Sequence, residues 1–277
     1  MVRWGILGTG AIANTFATAL EESDTSELIC AASRSSEKIE KFASKFNCIG
    51  CIGYGELINN KQVDAIYIAT PHPSHFDLAL QAVNSKIAVL CEKPITMNAT
   101  ETMVLIDAAR KNKVLLMEAF MYKTHPQTKK LKELVREEFE GKRLSIEASF
   151  GFRIGLKGRL NKKHRLLNPE LGGGSILDIG CYPLSMSRMI AGIAEGRDYL
   201  NPIKFEAKGK LSLNGIDLSA TAELTFLNET VACIDSAINK ELENSVIISD
   251  GKKSLLLNQP WHCGELTNRK NVLGYAL

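Results

Sequence analysis

Short apolar runs alternate with amphipathic stretches over the first 120 residues of the chain. The apolar runs predict strands, and they read RWGIL, LICAAS, DAIYIAT, IAVLCE and VLLMEA. Between them, apolar residues recur at helical spacing in the segments 11–22, 35–46, 74–84 and 98–111. Continuous apolar strands separated by helices are typical of a parallel sheet covered on both faces. The pattern therefore predicts a doubly wound α/β domain over residues 1–120.

After residue 120 the hydrophobic pattern changes to a period of two, which is typical of antiparallel strands. The alternating runs are RLSIEASFGF, KFEAKGKLSL, SATAELTF, TVACIDSAI and SVIISD. A helix is predicted before them in HPQTKKLKELVREEFEGK, and a glycine-flanked helix, GGGSILDIGCYPLSMSRMIAG, lies among them. We expect residues 121–277 to form an α+β domain with a largely antiparallel open sheet.

Composition and charge exclude some classes of protein but do not identify the function. A net charge of +3 over 277 residues is too small for a nucleic-acid-binding surface, which needs a concentrated basic patch. No apolar run approaches the ~18 residues that a membrane helix needs. Glycines interrupt the N-terminal run, which therefore indicates strand, turn and helix rather than a signal peptide. The seven cysteines are an odd number in a chain too long to need disulfides, so we predict a reducing, cytoplasmic location.

Cys48 and Cys51 form a CxxC motif in the sequence CIGC. A redox CxxC is normally followed by the start of a helix, whereas here we expect small buried residues near a short strand. A zinc site would need a second pair of ligands, and the remaining cysteines stand alone at Cys30, Cys91, Cys181, Cys233 and Cys263. No metal site is predicted.

A glycine-rich turn follows the first predicted strand in GILGTGAIANTF. Gly8 permits a tight turn, Gly10 lets a pyrophosphate approach the backbone, and Ala13 lets the following helix pack closely on the strand. The N–H groups at the start of that helix face the anion. Because a strand precedes the turn and a helix follows it, we predict a Rossmann dinucleotide site rather than a merely structural turn. Its residues are Gly8, Thr9, Gly10, Ala11, Ile12 and Ala13.

The end of the second predicted strand discriminates between NAD and NADP. An NAD site normally carries an acidic residue there to bind the ribose 2′-hydroxyl, but this strand ends in Ser33, Arg34 and Ser35. An arginine matches a 2′-phosphate in charge and geometry, and the two hydroxyls can add hydrogen bonds. We predict NADP as the cofactor; NAD remains possible, and Arg34 could instead simply begin a solvated helix.

Two further strand ends carry candidate chemistry, since ligands of open α/β sheets bind beyond the carboxyl ends of the strands. The fourth predicted strand is followed by ATPHPSH and the fifth by CEKP. Lys93 lies where a negative or developing charge is expected, although an ordinary ion pair at the sheet edge is the alternative. Each histidine of the first loop could instead cap a helix or stay solvated. The predicted cofactor contacts of these two loops are Thr70, Pro71, His72, His75, Glu92 and Lys93.

The glycine-rich helix of the second domain contains Asp178 and Tyr182, which are four residues apart and therefore share a helix face. Gly180 is expected to leave room for a flat ligand, and Pro183 to disturb the turn that holds Tyr182. The alternative is a core helix with a packed tyrosine. A tyrosine is a poor base at neutral pH because its ordinary pKa is about 10, but a nearby ammonium such as that of Lys93 favours the phenolate.

Five motifs occur in the order found in the Gfo/Idh/MocA family of oxidoreductases: GILGTGAIA, ATPHPSH, CEKPIT, MEAFMYKTHP and GGGSILDIGCYPL. Nearly the whole chain resembles that family, most closely the branch of the dihydrodiol dehydrogenases and the NADP-dependent D-xylose dehydrogenases. The resemblance implies that Tyr182 is the acid/base, that Lys93 assists it, and that the Lys93–Pro94 bond is cis in many members. It also implies a homodimer formed through the sheet of the second domain. Inositol dehydrogenases carry a histidine in place of Tyr182, so the tyrosine points away from them.

The predicted function is hydride transfer between nicotinamide and the hydroxyl or carbonyl carbon of a sugar, a cyclic polyol or a trans-dihydrodiol. Tyr182 and Lys93 would bind the substrate hydroxyl between the two domains, and Asp178 would position a substrate hydroxyl or the Lys93 ammonium. A loop with basic side chains could bind an anionic substrate or simply be exposed to solvent. Two aromatic residues could line the substrate pocket or only pack in the core. These residues are Arg153, Arg159, His164 and Arg165 in the loop, and Phe120 and Tyr122 near the domain boundary.

The C-terminal sequence WHCGELTNRKNVLGYAL lacks the further strand and closing helix that relatives usually carry. We therefore expect a second domain that is shortened at its C-terminal end and has lost part of the substrate wall. The alternative to an enzyme is a regulatory or inactive homologue that binds the dinucleotide without turnover. The presence of both Lys93 and Tyr182 favours the enzyme.

Overall fold

The chain divides into two compact units, Met1–Ala119 and Phe120–Leu277, in a computed structural model that describes residues 1–161, 164–262 and 274–276. The strands of the first unit are β1 (Val2–Leu7), β2 (Ser26–Ser33), β3 (Ile49–Ile52), β4 (Ala65–Ile68), β5 (Ala88–Cys91) and β6 (Leu116–Glu118). Their order in the sheet is β3-β2-β1-β4-β5-β6, and every neighbouring pair is parallel. This confirms the predicted parallel sheet. The apolar runs did not reveal β3 because it is an edge strand in which only Cys51 is buried.

The helices of the first unit cover both faces of this sheet. They are α1 (Ala11–Glu21), α2 (Ser36–Phe46), α3 (Gly55–Ile58), α4 (His75–Asn84) and α5 (Ala99–Asn112). Successive strand residues point to opposite faces, so Ile6 packs in the core that includes α1 and α2, whereas Leu7 packs in the core that includes α3, α4 and α5. The strand order changes direction between β1 and β4, and open α/β sheets bind ligands at such a switch point.

The second unit is built on a seven-stranded mixed sheet. Its strands are β7 (Ser145–Gly151), β8 (Lys204–Leu211), β9 (Asp217–Thr225), β10 (Val231–Ala237), β11 (Ser245–Ser249), β12 (Ser254–Asn258) and β13 (Gly274–Ala276). Their order is β13-β12-β11-β7-β10-β9-β8; β7 and β10 are parallel and all other neighbours antiparallel. The predicted, largely antiparallel α+β sheet is confirmed. The C-terminal sequence contributes one short strand, β13, which pairs with β12; its three residues are too few to show an alternating pattern.

Helices α6 (Pro126–Phe139), α7 (Leu156–Leu160) and α8 (Cys181–Ala194) complete the second unit, and a π-helical turn, Ile176–Gly180, leads into α8. Leu131 of α6 and Ile190 of α8 are fully buried in one core with Ile146 of β7. The start of α8 is thus fixed against the sheet by packing, and this is the position from which Tyr182 extends.

No disulfide joins the cysteines of the described residues. Cys48 precedes β3 and Cys51 lies within it, as predicted, and burial raises the pKa of Cys48 to about 11. Cys263 lies outside the described residues. Among the residues that are described, no three His, Cys, Asp or Glu side chains are grouped as metal ligands, and no helix is both long and apolar enough to cross a membrane.

Candidate active site

The turn after β1 has the shape that a dinucleotide site requires. Gly8 adopts φ +109°, which L side chains rarely adopt, and a Cβ atom there would lie 2.6 Å from the carbonyl oxygen of Ala69. Only glycine therefore fits where the β1 turn meets the loop after β4. At Gly10, by contrast, an added Cβ would have no heavy atom within 4 Å. The backbone at Gly10 is accordingly open to a ligand.

Helix α1 begins at this open turn with an uncapped N-terminus. Its N-cap is Gly10, no side chain caps it, and its first turn contains no acidic residue. Ala11 and Ile12 are exposed, while Ala13 is fully buried against the sheet. The first N–H groups of a helix have no partner within the helix and carry partial positive charge. The residues present thus fit a pyrophosphate at this position.

The turn between β2 and α2 is shaped by its two serines. The Ser33 hydroxyl oxygen accepts a hydrogen bond from the Ser35 N–H (3.2 Å), and the Ser35 hydroxyl oxygen caps α2 by accepting from the Lys38 N–H (3.4 Å). Arg34 between them is exposed. The serines therefore hold the turn, and Arg34 offers its cation at the surface.

The loop after β4 is closed by a short network of hydroxyl groups. The Ser74 hydroxyl lies 2.8 Å from the Thr70 hydroxyl and 2.7 Å from the carbonyl oxygen of Pro71. Thr70 and His72 are buried, and a 3-10 turn, His72–Ser74, leads into α4. The loop is thus ordered by its own contacts at the carboxyl edge of the sheet.

The turn after β5 contains a cis peptide bond between Lys93 and Pro94, the geometry that the resemblance implied. Glu92 holds the start of this turn: it accepts hydrogen bonds from the Tyr67 hydroxyl (2.5 Å) and from the N–H of Lys93 (3.3 Å). The next N–H, that of Ile95, donates to Glu118 on β6 (2.9 Å). Lys93 itself is half-buried. Glu92 therefore stabilises the conformation of the turn that contains Lys93.

Burial, together with the carboxylates of Glu92 and Glu118, raises the pKa of the Cys91 thiol well above its ordinary value. Cys91 consequently stays protonated at neutral pH and is not a candidate nucleophile. The two carboxylates make the end of β5 an electronegative environment beside the Lys93 turn.

His75 lies beneath both of these loops, with no exposed surface. Its Nδ1 is 2.8 Å from the carbonyl oxygen of Pro94, and its Nε2 is 2.8 Å from that of Thr70. Both ring nitrogens are therefore within hydrogen-bonding distance of the backbone, which leaves neither for the direct cofactor contact expected from the sequence.

In the second unit, Asp217 of β9 fixes the beginning of the π-helical turn. Its Oδ2 accepts hydrogen bonds from the Ser175 hydroxyl (2.8 Å) and the Ile176 N–H (2.7 Å). Gly174 has φ +117°, and a side chain there would overlap the Asp217 carboxylate. Asp217 has no local sequence signal, because it follows the turn that it caps by some forty residues.

The π-helical turn itself holds Asp178, whose carboxylate is buried. Asp178 accepts a hydrogen bond from Arg165 (Nη1 to Oδ1, 2.9 Å), and about half of the Arg165 side chain is exposed. The π-helical turn ends at Gly180, three residues before Pro183, and is the irregularity in this helix. The expected space at Gly180 is absent: a Cβ there would lie 3.1 Å from the Ser236 hydroxyl oxygen of β10. Gly180 thus serves close packing on the sheet.

Tyr182 is almost completely buried among aromatic rings. The ring centroids of Phe120, Phe150 and Trp261 lie 5.2, 5.4 and 5.8 Å from that of Tyr182, all in edge-to-face geometry. Trp261 is held by a hydrogen bond from its indole N–H to the Ser149 carbonyl (2.8 Å). These contacts fix the plane of the Tyr182 ring. Trp261 was not predicted, because only the folded sheet brings it beside α8.

One arginine of the predicted basic loop, Arg165, is engaged by a carboxylate of the protein itself, while the side chain of Arg153 is exposed. The Arg153 backbone N–H donates to Glu241, and Arg165 pairs with Asp178. His164 is half-buried, and the side chain of Arg159 lies outside the described residues. Tyr122 is fully buried and its hydroxyl donates to Ser185 (3.0 Å). Arg165 and Tyr122 thus have side-chain partners within the second unit.

Comparison with known proteins covers both units. The GFO/IDH/MocA model, described as an oxidoreductase family with an NAD-binding Rossmann fold, matches residues 2–120, and the model of the GFO/IDH/MocA C-terminal domain matches residues 128–249. Trans-1,2-dihydrobenzene-1,2-diol dehydrogenase of Xenopus tropicalis is 34% identical over 253 residues, which is 90% of this chain and 73% of that protein. D-xylose 1-dehydrogenase (NADP(+)) 2 of Haloferax volcanii is 35% identical over 190 residues, 68% of this chain and 57% of that protein.

Among solved structures, the 3-ketoreductase KijD10 of Actinomadura kijaniata, in complex with NADP and TDP-benzene, superposes with a TM-score of 0.82 at 26% identity. The match covers 94% of this chain and 77% of that one.

Proposed function

This chain belongs to the GFO/IDH/MocA family of oxidoreductases, and we propose that it is an NADP-dependent dehydrogenase or reductase. It would transfer hydride between nicotinamide and the hydroxyl or carbonyl carbon of a sugar, a cyclic polyol or a trans-dihydrodiol. The similar proteins include a trans-1,2-dihydrobenzene-1,2-diol dehydrogenase, a D-xylose 1-dehydrogenase and a 3-ketoreductase. The observation that carries the proposal is the uncapped start of α1 beside Gly10, which suits a dinucleotide pyrophosphate.

The choice of NADP rests on the turn after β2. Arg34 is exposed there, and its guanidinium can bind a 2′-phosphate through two hydrogen bonds. The Ser33 and Ser35 oxygens accept from backbone N–H groups, so each hydroxyl proton remains available to donate to a phosphate oxygen. An acidic residue, which would repel that phosphate, is not present at the end of β2.

Each proposed site residue has its own role in the reaction. When bound, the nicotinamide supplies or accepts the hydride. Tyr182 removes the proton of the substrate hydroxyl during oxidation and returns it to the carbonyl oxygen during reduction. Lys93 stabilises the negative charge that develops on the same oxygen. Asp178, which Arg165 holds, orients a further substrate hydroxyl. The cofactor is contacted by Thr70, Pro71 and the turn that contains Lys93.

We also propose that two copies associate through the sheet of the second unit. In β8 every residue is exposed, including Phe205 and Leu211, so this strand has apolar area that a partner would bury. Light scattering during gel filtration would report the mass, and a monomer at all concentrations would refute this assembly. A reducing compartment such as the cytoplasm suits the free thiols of the described cysteines.

The proposed activity is tested in two steps. NADPH fluorescence first measures cofactor binding, and nicotinamide absorbance then follows turnover with aldoses, inositols, cyclic diols and the corresponding carbonyl compounds, in both directions. We expect NADPH to bind and at least one substrate class to turn over. Binding without turnover across the panel would identify a regulatory homologue instead, and absence of binding would refute the dinucleotide site.

A further inference from the structure

The side chain of His75 connects the two loops that follow β4 and β5. These strands are neighbours in the sheet, and the ring lies between the carbonyl oxygens of Thr70 and Pro94, 2.8 Å from each, without exposed surface. Thr70 belongs to the proposed cofactor loop, and Pro94 follows Lys93 directly. A single side chain thus sets the distance between the cofactor loop and the lysine turn.

Both contacts are hydrogen bonds only if both ring nitrogens carry a proton. A carbonyl oxygen can only accept, and a neutral imidazole has a single N–H. A neutral ring would therefore direct one nitrogen lone pair at a carbonyl oxygen 2.8 Å away, in a place with no exposed surface where water could intervene. The geometry is that of an imidazolium ion with two donors.

The surroundings contain charges of both signs. His75 is the first residue of α4, where the helix dipole disfavours a cation. Asp77 lies in the same first turn, and the His72 ring centroid is 5.7 Å away. Lys93, Glu92 and Glu118 lie on the neighbouring strand ends. Burial of the cation and the helix dipole oppose the doubly protonated ring, and the charge-assisted hydrogen bonds to the two carbonyl oxygens are the interactions that offset them.

We propose that His75 is a positioning residue that donates one hydrogen bond from each ring nitrogen and thereby holds the Lys93–Pro94 turn against the Thr70 loop. Its effect on turnover rests on the proposed function, in which Lys93 stabilises the reacting oxygen. The proton count of the ring does not rest on it.

The proton count is measured by nitrogen NMR on wild-type protein labelled with ¹⁵N-histidine at neutral pH. Protonated and bare ring nitrogens resonate far apart, and the His75 signals are identified by their loss in His75→Phe or, should that variant fail to fold, in His75→Gln. His262, an exposed residue whose ring contacts the Phe150 ring edge-to-face, serves as an internal reference. Two protonated nitrogens for His75 support the proposal. One bare nitrogen overturns it.

The positioning role is measured by turnover in a matched pair of variants. His75→Phe keeps a planar ring but has no donor, whereas His75→Gln keeps two N–H donors. We expect turnover to fall at least ~10-fold in His75→Phe and distinctly less in His75→Gln, with the Kd for NADPH changed less than ~3-fold in both, since a small displacement of a reacting group is enough to slow chemistry. Equal losses in both variants, or none, would overturn the role. Absence of turnover in the wild type would refute the proposed function and leave the NMR result to decide on His75.

Discussion

The candidate sites of the two units are built in different ways. In the first unit the proposed functional groups lie at strand ends or in the loops and helix starts that follow them, from Gly8 after β1 to Lys93 after β5. In the second unit Tyr182 and Asp178 depend on partners brought from elsewhere, such as Asp217 on β9 and Trp261 beyond β12. Parallel sheets bring strand ends together by topology alone, whereas a site on a helix inside an α+β unit must be assembled by packing. Substitutions can test this difference.

The largest effect is expected in the second unit, at the hydroxyl of Tyr182. Tyr182→Phe keeps the ring and its edge-to-face contacts with Phe120, Phe150 and Trp261. Turnover should fall at least ~100-fold because the proton donor and acceptor is lost, while NADPH binding is retained. Steady-state kinetics and NADPH fluorescence measure the two quantities. Tyr199→Phe, at an exposed tyrosine, is the matched control, and unchanged turnover in Tyr182→Phe would remove Tyr182 from the mechanism.

In the first unit, two glycines of one turn should respond in opposite ways. Gly8→Ala should lower the free energy of unfolding by about 2 kcal/mol, because it imposes an unfavourable φ and a clash with the Ala69 carbonyl. Gly10→Ala should change it by less than about 1 kcal/mol, since nothing lies near the added methyl group, yet weaken NADPH binding ~10-fold by blocking the pyrophosphate. Urea unfolding and NADPH titration separate the two effects. Equal stability losses would contradict the assigned roles.

A smaller effect is expected at the turn after β2. Arg34→Ala should reduce the preference for NADPH over NADH by ~10-fold, because the two hydrogen bonds from the guanidinium to the 2′-phosphate are lost. The preference is measured as the ratio of the kcat/KM values for the two cofactors. Stability should stay unchanged because Arg34 is exposed, while Ser35 still caps α2. Lys38→Ala, four residues along, is the control. A preference that survives in Arg34→Ala would assign cofactor choice to another group.

The smallest effects concern two ion-paired carboxylates, one in each unit, that stabilise the two units separately. Hydrogen bonds from Arg3 lower the pKa of Asp64 to about 2, and the Lys142 ammonium, together with backbone N–H groups, holds the pKa of Asp250 well below its ordinary value. A lowered folded-state pKa means that the stabilisation is present above the ordinary value of 3.8 and is lost as the pH falls towards the folded value. Asp64→Asn and Asp250→Asn should each reduce stability at neutral pH and flatten its fall in acid. Thermal unfolding measured across this pH range, with Asp107→Asn as control, tests this prediction. If stability changed with pH in both variants as it does in the wild type, the account would be contradicted.

The sequence allowed more of the first unit to be predicted than of the second, for physical reasons. Continuous apolar runs marked five strands of the first sheet, and glycine spacing marked the turn at Gly8 and Gly10, because these signals are local. The edge strand β3 lacked such a run. In the second unit the irregular helix could be predicted from Pro183, but the occupied space at Gly180 could not, since Ser236 reaches it from another strand. His75 could be recognised as unusual, yet its two carbonyl partners are a product of the fold.

The most direct test of the central claim is transfer of a labelled hydride. NADPH carrying deuterium at the transferable position of the nicotinamide is incubated with a pool of ketoses, inosose-type ketones and related carbonyl compounds, and the products are examined by mass spectrometry. The account predicts that one deuterium appears on the carbon bearing the new hydroxyl, with the rate reduced at least ~100-fold in Tyr182→Phe. NADPH that binds but leaves no deuterium on any product would contradict it.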